Sequence, residues 1–149
     1  CVAVRALDRR SGCFEVLDQW FVHDEWLPEP EALEGCVFAM ETSEELPHPG
    51  MVKGWLQALG EAGYLAAFDG VLVGRPTARN HTPAGDTPAH ERETFRDQQR
   101  EVVESVLAEY NPDAPVVLDC EFGHTYPTCP LPIGGEFRVD PGTETLTLL

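Results

Sequence analysis

The run Pro115-Val116-Val117-Leu118-Asp119-Cys120-Glu121-Phe122-Gly123-His124-Thr125 constrains the fold more than any other stretch of the chain. Turn-forming residues at Asn111-Pro112-Asp113-Ala114-Pro115 fence an apolar segment rich in β-branched valine, which is the pattern of a buried strand. Gly123 lets the backbone turn sharply where that strand ends, and His124 follows at once. A histidine delivered at the carboxyl end of a strand stands on the edge where open α/β sheets receive ligands. Taken alone it is only suggestive, since most histidines are hydrogen-bonded structural or surface residues.

The other periodicities supply the rest of the fold. Residues 2 to 8 alternate as a short strand does, and Arg9-Arg10-Ser11-Gly12 then turns. From Cys13 to Phe21 the apolar positions follow the helical period, predicting a short buried helix. Gly35-Cys36-Val37-Phe38-Ala39-Met40 reads as a second buried strand closed by Glu41. Val52, Trp55, Leu56 and Leu59 lie at i, i+3, i+4, i+7 behind Pro49-Gly50 and predict a helix stopped by Gly60 and Gly63. Val71-Leu72-Val73 between two glycines is a third strand. Arg75 to roughly His90 is a long irregular loop. Glu91 to Tyr110 is the longest helix, with Phe95, Val102, Val103, Val106, Leu107 and Tyr110 on one face. Three prolines between Tyr126 and Pro132 make that segment a stiff extended wall, and Phe137–Val139 with Thr145–Leu148 flank a hairpin turn. The expected architecture is one domain of mixed α/β (α+β) type: short mixed strands in a small sheet or barrel-like core, flanked by about three helices.

A chain of 149 residues, 42% of them hydrophobic, is long enough to bury one core. The formal charge of -16, from 26 acidic against 10 basic residues, argues against nucleic acid and anionic membrane as partners, because phosphates would be repelled. No stretch is apolar over the length of a membrane span. Cysteines at positions 1, 13, 36, 120 and 129 are odd in number and unevenly spaced, which fits reduced thiols and a cytoplasmic location better than a disulfide framework. The sequence opens at Cys1 without a methionine, as a processed form or a piece of a longer polypeptide does. Neither a dinucleotide nor a P-loop glycine fingerprint occurs.

Two strands end in a polar residue, Glu41 and His124. Were both parallel in one sheet, the carboxylate would reach the imidazole, fix its tautomer and stabilise its protonated form, as in two-thirds of a nucleophile–His–acid triad. A solvated strand end is the plainer account of Glu41. The third member is missing. Of Ser11, Ser43 and Ser105, none sits in a Gly-x-Ser-x-Gly elbow; Ser105 is inside the long helix and Ser43 reads as a turn cap. Cys120 stands four residues before His124, roughly 13 Å away along a strand, too far for activation. The nucleophile is therefore expected outside this chain. Cys120, His124 and Cys129 have no familiar zinc spacing and would need Cys36 or His81 as a fourth ligand, so free thiols explain them more simply. Glu41, Glu44 and Glu45 could hold a hard cation, but a charged helix start on the surface is the better explanation.

Ser11-Gly12-Cys13-Phe14-Glu15-Val16-Leu17, Met40-Glu41-Thr42-Ser43-Glu44-Glu45, Gly70-Val71-Leu72-Val73-Gly74-Arg75-Pro76, Phe122-Gly123-His124-Thr125 and Leu131-Pro132-Ile133-Gly134 follow one another along the chain. In that order they resemble the C-terminal half of the serine LD-carboxypeptidase family, which includes muramoyl-tetrapeptide carboxypeptidases and microcin C immunity peptidases. The resemblance implies a C-terminal domain, over residues 1–149, that supplies the glutamate (Glu41) and histidine (His124) of a Ser–His–Glu triad. The serine and the oxyanion donors would belong to an N-terminal domain not contained in this chain. It also implies a cytoplasmic reaction without metal or cofactor, on a murein tetrapeptide or a peptidyl nucleotide of the microcin type. Thr42-Ser43-Glu44-Glu45 is more similar to the immunity branch. An apolar face where the N-terminal domain docks is a further implication, and that face would favour a homodimer in its absence. The competing expectation is a non-enzymatic peptide-binding module that uses the proline-rich wall and the long loop.

Overall fold

Short runs that are apolar at every position cannot present a wet face, so they belong in a parallel sheet covered on both sides. The computed structural model describes residues 2–4, 12–23, 27–79, 87–140, 142–143 and 145–149. Along the chain these form β1 (Val2–Val4), β2 (Gly12–Cys13), α1 (Phe14–His23), β3 (Val37–Glu41), α2 (Pro49–Glu61), α3 (Tyr64–Ala67), β4 (Gly70–Gly74), α4 (Ala89–Tyr110), β5 (Val116–Cys120), β6 (Phe137–Asp140) and β7 (Thr145–Leu148). A turn of 3-10 helix, Pro30–Leu33, precedes β3.

Strands β2-β3-β4-β5 form a four-stranded sheet in that order, and every neighbouring pair is parallel. Parallel neighbours need a crossover, and each connection carries helix: α1 after β2, α2 and α3 after β3, α4 after β4. Strands β1-β6-β7 form a separate antiparallel sheet. The mixed α/β expectation therefore holds, in its sheet form; three longer helices are accompanied by the single turn of α3.

Strand parity divides the core in two. Phe38, Met40, Val71 and Val73 face the helices and pack with Val52, Trp55 and Leu56 of α2 and Val103, Val106 and Leu107 of α4. Phe14 meets Trp55 edge-on at 5.1 Å between ring centroids, and Phe38 stacks on Phe68 at 4.9 Å. Each such side chain contributes about 1.5–3 kcal/mol by leaving water. The alternate residues Val37, Ala39 and Leu72 turn to the other face, where Phe122 and Phe137 cover them. Glu41 continues the series 37, 39, 41 and so falls on that second, non-helical face.

Several expectations need correction. The strand at 116–120 lies at the sheet edge and is half-buried throughout, because only β4 pairs with it. Gly63 ends α2, with φ of 84°, whereas Gly60 lies within the helix, where any Cβ would overlap the ring of Tyr110. Cys13 is not the first residue of a buried helix but the end of β2. The strand expected over residues 2 to 8 is seen at Val2–Val4, while the turn at 9–11 and His81 fall outside the described residues. The loop from Arg75 has no regular structure as far as Arg79, residues 80–86 also fall outside the described residues, and α4 begins at Ala89. None of the described helices is long and apolar enough to cross a membrane.

Candidate active site

Because β2, β3, β4 and β5 run the same way, Cys13, Glu41, Gly74 and Cys120 all lie at one edge of the sheet. At that edge β5 departs from regular pairing. Leu72 pairs with Val117 but Gly74 with Cys120, and the extra residue of this bulge is taken up where Asp119 adopts a φ of 54°. The left-handed conformation is tolerated by aspartate, and Arg100 of α4 holds the carboxylate through an Nε–Oδ2 hydrogen bond of 2.7 Å. The bulge turns the chain back over the end of β4, where Arg75 N–H donates to the Cys120 carbonyl at 2.8 Å.

Glu41 is 6% exposed, so it is not a solvated strand end. A carboxylate in that position requires hydrogen-bond donors. His124 provides them: its backbone N–H donates to Oε2 at 3.2 Å, and its Nδ1 lies 2.9 and 3.0 Å from Oε1 and Oε2. Two glycines shape the slot. A Cβ on Gly74 would come within 2.7 Å of the Glu41 Cβ, and one on Gly123 within 2.6 Å of the Glu41 Oε2. Gly123 also has a φ of 79°, in the region that only glycine enters freely.

An ionised carboxylate only accepts, which assigns the imidazole proton to Nδ1 and leaves Nε2 with a free lone pair in the neutral ring. The His124 side chain is 42% exposed, so Nε2 faces away from the core, 3.4 Å from Oε2 of Glu44. The hydrogen bond to Glu41 raises the pKa of His124 above the ordinary histidine value; partial burial opposes this, and the charges of Glu41, Glu44 and Glu15 reinforce it.

Sequence reasoning did not place Cys13 and Glu15 in this cluster. Glu15, at the start of α1, accepts from the Cys13 thiol at 2.6 Å, from the Ser43 hydroxyl at 2.7 Å and from the Ser43 backbone N–H at 3.2 Å. Partial burial pushes Glu15 up, but these donors outweigh it and leave its pKa below the usual carboxylate value. Burial first, and then the bond to Glu15, push the Cys13 thiol up to about 12, so it is protonated and no nucleophile. Ser43 also accepts from the Glu45 N–H at 3.1 Å, the expected turn cap, and is thereby committed away from the imidazole. The signal available in the sequence was Gly12-Cys13 directly ahead of a helix, a strand too short for alternation to reveal.

Among the described residues, Cys13, Glu41 and His124 are the group whose donor atoms could share a metal ion, all lying within 4.8 Å of one another. Cys120 and Cys129, considered with His124 from the sequence, do not join it; Cys129 is exposed. Beside Glu41 opens a groove of about 370 Å³, floored by Gly12, Ala39 and Phe122 and walled by the proline-rich segment at Cys129, Pro130 and Leu131.

The fold and this edge define a parallel α/β domain that presents a buried carboxylate and a half-exposed imidazole beside an apolar groove. Residues 10–139 match the profile of the LD-carboxypeptidase C-terminal domain, and the chain belongs to that family. A search of curated protein sequences returned no match. Among solved structures, the chain is similar to an MccF-like protein from Streptococcus pneumoniae in complex with AMP, with 26% identity and a TM-score of 0.71 over 92% of this chain and 39% of that one. A muramoyltetrapeptide carboxypeptidase from Oxalobacter formigenes shares the fold at 20% identity and a TM-score of 0.66, over 99% of this chain and 44% of that one. MccF in complex with glutamyl sulfamoyl guanosine does so at 17% identity and a TM-score of 0.66, over 98% and 40%. The chain thus spans about two-fifths of the length of these relatives.

Proposed function

We propose that this chain supplies the histidine and glutamate of a serine LD-carboxypeptidase, His124 acting as general base and acid and Glu41 as its orienting partner. The observation that carries the reading is the bond of 2.9 Å between His124 Nδ1 and a carboxylate that is 6% exposed, with Nε2 left on the open side. Burying an acid this deeply is costly unless its partner is held with it, and two glycines are spent on making the space. A peptide-binding module has no use for that expense.

In this mechanism the serine comes from polypeptide beyond the chain, seated against the groove beside Glu41. Nε2 takes the serine hydroxyl proton as oxygen attacks the amide carbonyl, and returns it to the leaving amine. Glu41 keeps the proton on Nδ1 and offsets the imidazolium charge as it forms. The tetrahedral oxyanion is stabilised by donors from the same serine-bearing polypeptide. The substrate is a small peptide cleaved at its C-terminal amide, either the L,D-bond of a murein tetrapeptide or the amide of a peptidyl nucleotide. AMP and glutamyl sulfamoyl guanosine, bound by two of the structural relatives, support the second class. The reaction is placed in the cytoplasm on the strength of the family resemblance. The 149-residue chain by itself is expected to hydrolyse neither, and any pairing of two copies would be through the face that receives the serine-bearing segment.

The test is an assay of the full-length protein against a murein tetrapeptide and a peptidyl sulfamoyl nucleotide side by side. His124→Ala should lower kcat by about 10⁶-fold and Glu41→Gln by about 10⁴-fold. Hydrolysis of either substrate that survives His124→Ala undiminished would remove the imidazole from the mechanism, and the reading with it.

A further inference from the structure

The proposed chemistry uses Glu41 and His124 but leaves Cys13 unexplained. Its sulfur stands at the end of β2, in a strand paired with β3 so that Cys13 is opposite Glu41. Sulfur, imidazole nitrogen and carboxylate oxygen from three separate elements are all within 4.8 Å of one another. In a tetrahedral zinc site, with Zn–S about 2.3 Å and Zn–N about 2.0 Å, such donors are about 3.3–3.6 Å apart. The Nδ1–Oε1 separation of 2.9 Å is already close to that, and the half-buried Cys13 sulfur, no more than 4.8 Å from either partner, would complete the triangle by leaving its hydrogen bond to Glu15 and moving inward.

We infer that Cys13, Glu41 and His124 form a binding site for a thiophilic divalent cation, Zn²⁺ in particular, which holds the imidazole in the wrong tautomer and so switches the site off. The metal part of this inference stands on geometry alone; the inhibitory part rests on the proposed function of His124.

Three features favour it. A mixed sulfur, nitrogen and oxygen donor set selects zinc over calcium and magnesium, which prefer oxygen alone. The surrounding carboxylates of Glu15, Glu41 and Glu44 give the position a negative field. Behind the ring, Glu44 lies 3.4 Å from Nε2, where zinc-bound histidines carry a carboxylate that fixes the metal-ligating tautomer. On binding, the Cys13 S–H bond is replaced by an S–Zn bond and the thiol proton passes to solvent. The imidazole ligates through Nδ1 in its neutral form, with its one proton on Nε2. A protonated Nε2 cannot accept the proton of an attacking hydroxyl. Glu41 exchanges its hydrogen bond to the ring for the metal, and water takes the fourth position.

Titration of the full-length protein with Co²⁺ tests the binding directly, because a thiolate on cobalt gives a charge-transfer band that oxygen and nitrogen ligands do not. The parent should show the band, and Cys13→Ala should lose it while Zn²⁺ affinity, read by competition with a chromophoric chelator, falls at least about tenfold. Absence of the band, or equal zinc affinity in Cys13→Ala of unchanged circular dichroism, overturns the site. In the peptidase assay the parent should be inhibited by Zn²⁺ and not by Mg²⁺, whereas the hydrolysis that Cys13→Ala retains should resist zinc. A cobalt–thiolate band in a protein whose hydrolysis ignores zinc would overturn the inhibitory role. A band in a protein that hydrolyses neither substrate would instead refute the proposed function and leave the metal site standing.

Discussion

Gly123→Ala isolates the interaction on which the site depends, and Gly134→Ala is its internal control. Both glycines have a φ of 79°, but a Cβ at Gly134 meets nothing within 4 Å, whereas at Gly123 it would lie 2.5 Å from Cδ and 2.6 Å from Oε2 of Glu41. The backbone term is common to both and amounts to about 1–2 kcal/mol for a residue with a side chain in the left-handed region. Overlap with a buried group adds about 1–3 kcal/mol at Gly123 alone. Expected losses are therefore about 1–2 kcal/mol for Gly134→Ala and about 2–5 kcal/mol for Gly123→Ala, a large share of the roughly 5–15 kcal/mol typical of a folded domain. Urea unfolding measures these differences. The relief available to the Gly123 variant is to push the Glu41 carboxylate out of its slot, which breaks its bond to Nδ1. NMR titration of His124 then reports a pKa fallen from its raised position toward the ordinary value of about 6.5, while Gly134→Ala leaves it in place. Equal losses in the two variants, with His124 titrating as in the parent, would refute the claim that Gly123 exists to admit Glu41.

On the proposed mechanism the acid limb of kcat/KM in the full-length protein should follow deprotonation of His124, so activity falls as pH drops through that group's raised pKa. Glu44→Gln removes a charge that favours the imidazolium, so the limb should move to lower pH; an unmoved limb would show that Glu44 does not act on the ring. Arg100→Ala strips Asp119 of its partner at the bulge and should cost about 1–2 kcal/mol in urea unfolding, with a change below about 0.5 kcal/mol counting against any structural role for the pair. Trp55→Ala should cost about 3–5 kcal/mol by opening a cavity between Phe14 and Phe38, and Trp55→Phe far less, since the buried indole N–H has no hydrogen-bond partner to lose. A Trp55→Phe variant as unstable as Trp55→Ala would place the stabilisation in the indole rather than in the ring contacts.

The elements that could be read from the sequence were those whose apolar period extends over several residues. Val37–Met40 and Val71–Val73 announced themselves as buried strands, and Val52, Trp55, Leu56 and Leu59 as a helix face. Glu41 was legible as the first charged residue after such a run, and His124 because it follows Gly123, the turn residue beyond the strand at 116–120. The pairing partner of a strand is a tertiary matter, and there periodicity is silent. Nothing in Val116–Cys120 distinguished an edge strand from a central one, since edge position depends on which strands exist elsewhere. Two residues of β2 are too few to alternate, so Cys13 merged with the helical pattern of α1 and its place beside Glu41 could not be anticipated. The role of Gly74 was equally hidden: it reads as a strand boundary, while its use is to let a side chain from the adjacent strand pass.

The antiparallel sheet has a consequence for biogenesis. Its middle strand, β6, is flanked on one side by β7 and on the other by β1, the first described segment of the chain, with Val2 opposite Val139. A polypeptide emerging from the ribosome can assemble the helices and the parallel strands progressively, but β1 must wait until residues 137–140 have been made before its neighbour appears. Closing so long a loop is entropically slow. Proteolytic removal of β6 and β7 would therefore release β1 as well, two distant segments lost for one cut.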